Sequence, residues 1–350
     1  MFMPITLAII GAFIAATLLA GAIKGIALRA KLMDLPVARS AHSVPTPVGG
    51  GIAIALVFLA GASFSYLFAI LTLHECMALL GGALIAGLGF IDDRQKLDIK
   101  WRVPIQFLAA TWSIWWLGGS PSIPFGDWIL PASWLINVAA VVALVWLMNL
   151  YNFMDGIDGI AGSELVFVNL LCLVIAVSAG DEALALLAAV MIGAGAGFLV
   201  WNWSPASIFL GDAGSGFIGF SLGVMALVSM HHGSMHVWTW LLLLGVFIID
   251  ATVTLVRRFL RGDKWYEGHA SHAYQNTARR YKSHAKVTMT VMLINFFWLA
   301  PLAWLSVEYP HLGVYLTIMG LAPLGYLAIY CDAGVSGGKA REVPSAQSIT

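Results

Sequence analysis

The sequence predicts an all-α integral membrane protein with about eleven transmembrane helices. Of its 350 residues, 60% are hydrophobic and only 10% are charged, whereas soluble proteins carry about 25% charged residues. The hydrophobic residues fall into runs of about 20, the length that a helix needs to cross the hydrocarbon core. The Lys and Arg residues are confined to four stretches between or after these runs.

Eleven apolar runs define the expected helices, and the third and fourth of them are short. The runs are 5–28, 49–71, 76–91, 103–118, 134–152, 159–178, 183–201, 213–230, 237–256, 287–306 and 313–330. The first has no basic residue before it and no cleavage site after it, which predicts a retained helix rather than a signal peptide. Between the fourth and fifth runs, 120–128 predicts a short hairpin around Phe125-Gly126.

The distribution of positive charge predicts the topology. The basic residues lie at or after the first run, after the third, after the ninth and in the C-terminal tail, at 24–39, 94–102, 257–286 and 339–341. The loops on the other side contain none. Because an excess of Lys and Arg marks the cytoplasmic side, we expect a periplasmic N-terminus and a cytoplasmic C-terminus. Residues 1–330 then form one membrane domain, and 331–350 are expected to be a disordered tail.

Composition excludes several other classes of protein. The net charge is zero, so there is no basic surface to indicate a nucleic-acid partner. Cys76, Cys172 and Cys331 are scattered and odd in number, which gives neither a disulfide framework nor a zinc spacing.

Two adjacent carboxylates, Asp92 and Asp93, end the third run. Carboxylates near membrane depth are costly and are functional candidates by default. Adjacent carboxylates repel each other unless a cation lies nearby. The alternative interpretation is a solvated helix end with Arg94 as the counter-charge.

A second polar cluster ends the fifth run and contains Asn149, Asn152, Asp155 and Asp158. The two asparagines are one turn apart and share a helix face. The cluster has four oxygen-bearing side chains and no basic residue, which favours a hard cation such as Mg²⁺. The alternative is a plain turn, because Gly follows each of the two aspartates.

The third polar cluster contains Asp212 among small residues at 211–216, just before the eighth run. Glycines and the free N–H groups of a helix start attract a phosphate, and a nearby Asp opposes that anion unless a metal bridges them. The alternative is a small-residue motif for helix packing. Asp250, inside the ninth run, predicts a buried structural hydrogen bond.

The polar stretch after the ninth run contains His269 and His272, followed by Arg279 and Arg280. Two His without a nearby Cys or carboxylate are poor evidence for zinc. Because His and Arg both donate to phosphate oxygens, phosphate binding or proton relay fits better. The alternative is a positively charged anchor of the cytoplasmic side. A further Pro- and Gly-rich loop, 34–51, adds Arg39 and His42 to the same side.

Together these residues resemble one family, the polyprenyl-phosphate N-acetylhexosamine-1-phosphate transferases of glycosyltransferase family 4. The matching motifs are Arg39-Ser40-x-His42 with Pro-x-Gly-Gly, Asp92-Asp93, Asn149-x-x-Asn152-x-x-Asp155-Gly-x-Asp158-Gly, Phe209-x-Gly-Asp212-x-Gly-Ser and His269-x-x-His272-Ala-Tyr-Gln. They occur in order across about 34–284. The His-x-x-His form is more similar to the branch that initiates O-antigen or capsule synthesis than to the peptidoglycan branch.

The resemblance implies a reaction and a location. A UDP-N-acetyl amino sugar and undecaprenyl phosphate would give undecaprenyl-diphospho-sugar and UMP. The cofactor would be Mg²⁺, with Mn²⁺ as a substitute. The enzyme would lie in the bacterial inner membrane with a cytoplasmic active site and would serve lipopolysaccharide and cell-wall biogenesis. Its partners would be the two substrates and membrane lipids, and family members often form homodimers.

The resemblance also implies residue roles. Asp212 and Asn152 would hold the metal, and Asp92, Asp93 and His272 would be catalytic. The aspartate pair would act on the acceptor phosphate, as a base or as a nucleophile. The substrate-binding set would be Asn149, Asp155, Asp158, His269, Arg279, Arg280, Arg39 and His42, with Asp158 near the uracil.

Two rival functions have different sequence signatures. A secondary transporter would also have many helices with intramembrane acids, but its site would lie at the midplane of repeated halves. In this sequence the acidic residues lie at the ends of the apolar runs, and the two halves of the sequence show no repeat. A CDP-alcohol phosphotransferase would need an Asp-Gly-x-x-Ala-Arg run, which the sequence after Asp155 lacks. The sequence leaves the amino sugar open among GlcNAc, FucNAc and QuiNAc, and it is silent on the oligomeric state.

Overall fold

The computed structural model describes residues 2–36, 44–263 and 269–335. These residues form a bundle of helices with two small hairpins. The helices are α1 (Phe2–Arg29), α2 (Ile52–Leu67), α3 (Leu73–Gln95), α4 (Ile99–Trp116), α5 (Trp134–Met154), α6 (Ile160–Ala179), α7 (Glu182–Asn202), α8 (Asp212–His232), α9 (Val237–Leu243), α10 (Gly245–Leu260), α11 (Ala273–Tyr281), α12 (His284–Ile294), α13 (Ala300–Glu308) and α14 (Gly313–Tyr330). A π-helical turn, Asn295–Leu299, joins α12 to α13, and the 3₁₀ turn Pro310–Leu312 leads into α14.

The hairpins are two-stranded and antiparallel. Strand β1 (Met33–Asp34) pairs with β2 (Thr46–Pro47), and β3 (Ile123–Phe125) pairs with β4 (Trp128–Leu130). The second confirms the hairpin expected around Phe125-Gly126, because Phe125 lies opposite Trp128 and Gly126 has φ +62°. A turn with positive φ favours glycine.

Eight helical segments of the described chain are long and apolar enough to cross a membrane. They are Met3–Arg29, Leu73–Gln95, Trp134–Met154, Ile160–Ala179, Glu182–Asn202, Asp212–His232, His284–Glu308 and Pro310–Tyr330. A bent pair, α9 with α10, could form a ninth, and α2 is a shorter apolar helix. The protein is therefore a multi-pass, mostly helical membrane protein.

The expectation of one continuous helix over 237–256 is wrong. The chain turns by 79° between α9 and α10. A β-carbon on Gly245, the first residue of α10, would lie 2.6 Å from the Leu321 side chain of α14. This close packing of α10 against α14 accompanies the bend, and the even hydrophobicity of the run hides it from the sequence.

Helix α8 lies at the centre of the bundle. It packs against α3 and α5, while α7 packs against α1, α2 and α6. Close approach depends on glycine at two points: a β-carbon on Gly89 of α3 would collide with the backbone of Ala213, and one on Gly51 with the backbone of Gly214. Small residues let helix backbones approach in this way in membranes. The contacts fix the first turn of α8 against α3 and the start of α2.

Candidate active site

A polar cavity of about 330 Å³ opens where several helix ends meet. It is lined by residues from the ends of α3, α5 and α7, the loop between α5 and α6, the starts of α8, α11 and α12, the segment before α11, and β1. The predicted site residues among them are Asp93, Asn152, Asp155, Asp158, Asp212 and His269. Residues far apart in sequence therefore meet at one end of the bundle.

Asp93 binds the N-terminus of α8. Its carboxylate accepts hydrogen bonds from the backbone amides of Asp212, at 2.8 Å, and Ala213, at 3.3 Å. Gly89, one turn earlier on α3, permits this approach. A carboxylate is favourable at a helix N-terminus because it meets free N–H groups and the positive end of the helix dipole. Asp93 thus fixes the helix start that carries Asp212.

Asp212 is held from a second side by α5. The Asn152 amide donates to Asp212 Oδ1 at 2.7 Å and to the Ser215 hydroxyl at 3.0 Å. One turn of α8 and one turn of α5 are therefore joined through Asn152.

Asp92 does not line the cavity, but its carboxyl group lies within hydrogen-bonding range of Asp212. It is 2% exposed and forms an ion pair with Arg102 at 2.7 Å. It also accepts from the Leu97 amide at 2.6 Å. Arg102 lies 3.7 Å from Asp212 as well. The two adjacent carboxylates thus avoid repulsion by meeting different donors, Asp92 a guanidinium and Asp93 a helix start.

The loop between α5 and α6 presents Asp155 and Asp158 to the cavity. Asp158 Oδ2 is 3.2 Å from His284 Nδ1 and 3.2 Å from the Ala206 amide. Burial by itself raises the pKa of Asp158, but the hydrogen bonds from His284 and Ala206 outweigh it and leave that pKa below its usual value. Asp158 is therefore a carboxylate at neutral pH.

Asp155 differs from Asp158 in its surroundings. Burial, followed by the charges of Asp212, Asp93 and Asp158, raises the pKa of Asp155 well above its usual value. The described lining of the cavity thus contains more acidic side chains than basic side chains that could neutralise them.

The loop before α11 places one histidine in the cavity and one behind it. His269 lines the cavity, and the ring of His272 stacks on it with centroids 5.0 Å apart. His272 is 1% exposed, and its Nδ1 donates to Asp250 at 3.3 Å. Asp250 also accepts from the amides of Ala273 and Tyr274, both at 2.9 Å. The structural hydrogen bond expected at Asp250 is confirmed, and it fixes the start of α11.

Comparison with known proteins adds an independent observation. Residues 76–230 match the family model of glycosyl transferase family 4. A probable undecaprenyl-phosphate N-acetylglucosaminyl 1-phosphate transferase of Bacillus subtilis (strain 168) is 29% identical over 290 residues, 79% of this chain and 78% of that protein.

Two further relatives come from other bacteria. A decaprenyl-phosphate N-acetylglucosaminephosphotransferase of Mycobacterium leprae (strain TN) is 28% identical over 309 residues, 78% of this chain and 76% of its own. A phospho-N-acetylmuramoyl-pentapeptide-transferase of Synechococcus sp. (strain WH7803) is 29% identical over 215 residues, 60% of this chain and 57% of its own.

The match over residues 76–230 and these relatives support a place for the chain in glycosyl transferase family 4. The family match and the names of these relatives indicate a membrane phosphosugar transferase. They do not support the two rival functions, a secondary transporter and a CDP-alcohol phosphotransferase. The matched region contains the motifs around Asp92, Asn152, Asp155, Asp158 and Asp212.

Several residues expected in the site lie elsewhere. Asn149 donates to Gln106 of α4 at 2.8 Å. Arg279 donates to the Ala270 carbonyl and to Asn276. Arg280 pairs with Asp332 at 3.1 Å, beside a separate apolar groove. Arg39 and His42 lie outside the described residues. The substrate-binding roles of these five, and the catalytic roles of Asp92 and His272, stay predictions.

Five polar lining residues were not assigned to the site from the sequence: Asp34, Lys96, Asn202, Gln275 and His284. Lys96 ends α3 in the left-handed conformation, with φ +51°, and is the only Lys or Arg among the described lining residues. Gln275 follows the His-x-x-His motif, and His284 starts α12. A signal existed for Lys96, a basic residue close behind two aspartates, but only the fold brings His284 to Asp158.

The donor set fits a hard cation. Within the described residues, no group of three His, Cys, Asp or Glu side chains is arranged to hold a metal alone. Mg²⁺, however, is usually bound by one or two carboxylates together with water and substrate phosphates. Asp212, oriented by Asn152, offers such a carboxylate. Burial and, after it, the charges of Asp212, Asp93 and Asp158 raise the pKa of Asp155, and a cation would offset those charges.

Proposed function

We propose that this protein transfers an N-acetyl amino sugar 1-phosphate from a UDP-sugar to undecaprenyl phosphate and releases UMP. The main support for this proposal is the polar cavity at the ends of membrane helices. Its lining residues include Asp93, Asn152, Asp155, Asp158 and Asp212. A polar site at this depth can meet a water-soluble donor and a lipid acceptor together. The names of the relatives supply the class of both substrates.

The donor binds at the carboxylate-lined side of the cavity. Asp212, with Asn152 behind it, would hold Mg²⁺ on the donor diphosphate. Bound there, the metal supplies charge neutralisation and polarises the attacked phosphorus. Asp158, held by His284 and the Ala206 amide, is the ionised acceptor for the uracil N3–H group. His269 and Lys96 donate to phosphate oxygens.

The acceptor tail lies in an apolar groove of about 290 Å³ between α5, α8, α9 and α10. Leu147 and Leu150 of α5 and Gly223 of α8 are among its lining residues. The same two helices carry Asn152 and Asp212 into the cavity. A chain in this groove therefore follows the helices that lead to the reacting phosphates.

The transfer proceeds by direct displacement. A phosphate monoester has a second pKa of about 6, so most of the acceptor is dianionic at neutral pH and does not need a strong base. Both oxygens of Asp93 already accept from the start of α8. That arrangement suits a residue that positions Asp212 better than one that attacks phosphorus. Positioning and electrostatics then supply most of the rate.

We further infer eleven membrane crossings, with the cavity on the cytoplasmic side. Segments that line one cavity must be separated by an even number of crossings. This condition is met between β1 and the end of α3 if α2 is a crossing, and between α3 and α5 if α4 is one. It is met between α8 and His269 if α9 and α10 together make one. Adding α1, which precedes β1, gives an odd total and opposite sides for the two termini.

The His-x-x-His form of the loop at His269 supports a role in starting O-antigen or capsule synthesis at the bacterial inner membrane. Candidate donors are UDP-GlcNAc, UDP-FucNAc and UDP-QuiNAc. The test is UMP release by purified protein in proteoliposomes with undecaprenyl phosphate, Mg²⁺ and each donor in turn. One donor should be used well above the others. Absence of UMP release with every donor, from protein that is folded and binds UDP, would refute the proposed reaction.

A further inference from the structure

One carboxyl group inside the bundle has no place in the proposed reaction. Glu164 lies one turn into α6, is 0% exposed, and does not line the polar cavity. An acid buried in a membrane helix is costly and marks a functional residue by default. Among the described residues it forms no ion pair. Its only polar contact in the described part of the chain is a hydrogen bond of 2.6 Å, which the Asn295 amide donates to Glu164 Oε2.

Glu164 and Asn295 each have a buried side-chain oxygen that forms no hydrogen bond within the described residues. Within the described part of the chain, neither Glu164 Oε1 nor Asn295 Oδ1 has a hydrogen-bond donor. Both atoms are acceptors when the acid is ionised, and burying unsatisfied acceptors is costly. A protonated carboxyl group carries one O–H donor. A single proton on Oε1, donated to Asn295 Oδ1, would therefore satisfy both atoms.

We propose that Glu164 is a neutral acid that forms a two-hydrogen-bond ring with Asn295 and thereby positions α12 at the donor site. The inference rests on the proposed function for the identity of the donor. Glu164 acts through α12 and is a positioning residue. A neutral ring also explains how an acid without a cation is accommodated at this depth.

The position of Asn295 connects the ring to the cavity. Asn295 begins the π-helical turn that follows α12, and such turns occur often at functional sites. At the other end of α12, His284 pairs with the Asp158 carboxylate. The Thr288 hydroxyl donates to the Asp158 carbonyl at 3.2 Å.

Helix α12 is thus fixed to the region of α6 at two levels. His284 and Thr288 bind the loop just before α6, and Asn295 binds Glu164 within α6. Phe296 adds an edge-to-face contact with Phe167, at 4.9 Å between centroids. Loss of the ring removes one of the two attachments of α12. The contacts of His284 and Thr288 with Asp158 then no longer hold the Asp158 carboxylate in a fixed position.

The experiment compares three variants. Glu164→Gln keeps the hydrogen-bond pattern of a neutral acid, because its amide both accepts from and donates to Asn295. Glu164→Leu removes both bonds. Asn169→Leu is the matched control: Asn169 is also fully buried on α6, but its amide nitrogen binds only Leu165 of the same helix.

We expect Glu164→Leu to raise the KM for the UDP-sugar about tenfold, the lower end of what loss of a supporting partner behind a ligand costs. The acceptor KM should be unchanged. Glu164→Gln and Asn169→Leu should retain the wild-type donor KM. Equal effects of Glu164→Leu and Asn169→Leu, or a change confined to the acceptor KM, would overturn the positioning role.

Infrared spectroscopy tests the proton without any activity measurement. Wild type minus Glu164→Gln should show the carbonyl stretching band of a protonated carboxylic acid, and Asn295→Leu should shift it. Absence of that band from folded wild type overturns the neutral ring, even if Glu164→Leu fails to fold. Lack of transfer by wild type, in contrast, refutes the proposed function and leaves this band measurable.

Discussion

Asp212 is the residue on which the metal assignment depends. Asn152 orients its carboxylate, and Asp93 holds the helix start that carries it. Asp212→Asn should abolish turnover while leaving the fold intact. The substitution removes the charge of a metal ligand, which should cost several kcal/mol of barrier and thus at least roughly a hundredfold in kcat. Turnover and thermal unfolding should be measured across a Mg²⁺ titration.

Asp98→Asn is the matched control for this substitution. Asp98 pairs with Lys100 at the surface, at 2.9 Å, and does not line the cavity. It should retain wild-type activity. Near-normal turnover of Asp212→Asn at any Mg²⁺ concentration would rule out Asp212 as a ligand.

Direct displacement predicts the behaviour of Asp92 and Asp93. Wild-type enzyme free of lipid should not exchange labelled UMP into UDP-sugar, because no covalent intermediate forms. Asp92→Asn should recover activity as the pH rises above the acceptor's pKa of about 6. Asp93→Asn should stay weak at every pH, since an amide cannot accept from both amides of α8. Acceptor-independent exchange in purified enzyme would establish a nucleophile instead.

Residue types were easier to predict than their orientations. The sequence predicts a cluster of carboxylates and Asn at these helix ends, and Asp93, Asn152, Asp155, Asp158 and Asp212 do line one cavity. It could not separate Asp92 from Asp93, because Arg102 reaches Asp92 from another helix. The same is true of Asn149, whose partner Gln106 is distant in sequence. Such partners depend on packing rather than on local pattern.

At the scale of elements, the groove between α5 and α8 can be tested by filling it. Ala143 lines the groove, and Ala143→Trp should raise the acceptor KM with little change in donor KM. Displacing two methylene groups at about 0.8 kcal/mol each gives roughly tenfold. Val142→Trp is the matched control, because Val142 is 51% exposed and does not line the groove. Equal effects of both variants would place the tail elsewhere.

A second element-level prediction concerns a clamp at the end of the bundle opposite the cavity. His232 of α8 joins Asp181, at 3.0 Å, to Glu75 of α3, at 2.5 Å. Ser234 also donates to Asp181 at 2.7 Å. The clamp thus links α3, α7 and α8. Asp181→Asn should destabilise the protein by about 2 kcal/mol, the range for hydrogen bonds to a charged group.

The pH dependence of this effect has a defined sign. Burial alone raises the pKa of Asp181, but hydrogen bonds from His232, Ser234 and the Leu184 amide outweigh it and lower that pKa below the usual 3.8. The stabilisation is therefore full above about pH 4 and is lost as pH falls through the lowered pKa. The gap in melting temperature between wild type and Asp181→Asn, in detergent, should close in that acidic window.

The neighbouring Glu182 supplies the control for the clamp. It is exposed and lies in the first turn of the same helix, so Glu182→Gln tests the loss of a negative charge there without the clamp. It should melt close to wild type throughout. A gap for Asp181→Asn that persists at pH 2 would show that the ionised carboxylate is not its source.

The apolar runs predicted the boundaries of some helices closely. Helix α5 (Trp134–Met154) and α6 (Ile160–Ala179) nearly match the runs 134–152 and 159–178. The break between α9 and α10 and the π-helical turn at Asn295–Leu299 lie inside the predicted runs 237–256 and 287–306. Hydrophobic length predicts where a helix can cross a membrane, but tertiary packing determines where it bends.

At the scale of the whole molecule, charge asymmetry and the fold lead to the same arrangement by different arguments. The asymmetry places the basic stretches in the cytoplasm. The fold brings three of them, after α1, α3 and α10, to the end of the bundle that contains the cavity. Residues 331–335 also lie there, because Gly334 N donates to the Ser271 carbonyl at 2.7 Å and Asn276 donates to the Asp332 carbonyl at 2.7 Å. The remaining residues of the tail, 336–350, lie outside the described chain.

The eleven crossings can be tested with single cysteines in a protein whose Cys76, Cys172 and Cys331 are replaced by alanine. A membrane-impermeant maleimide added to spheroplasts should label Asp127→Cys, in the turn between β3 and β4, and His311→Cys, before α14. It should label Asp98→Cys and Lys282→Cys only after the membrane is opened. Asp98 and Asp127 lie at opposite ends of α4, and Lys282 and His311 lie at opposite ends of the segment formed by α12 and α13, so each pair reports on one crossing. Labelling of Asp98→Cys from outside would mean that α4 does not cross. The cavity would then be built from segments on both sides of the membrane, which its hydrogen bonds between Asp93 and α8 do not allow. That result would therefore overturn the fold together with the topology.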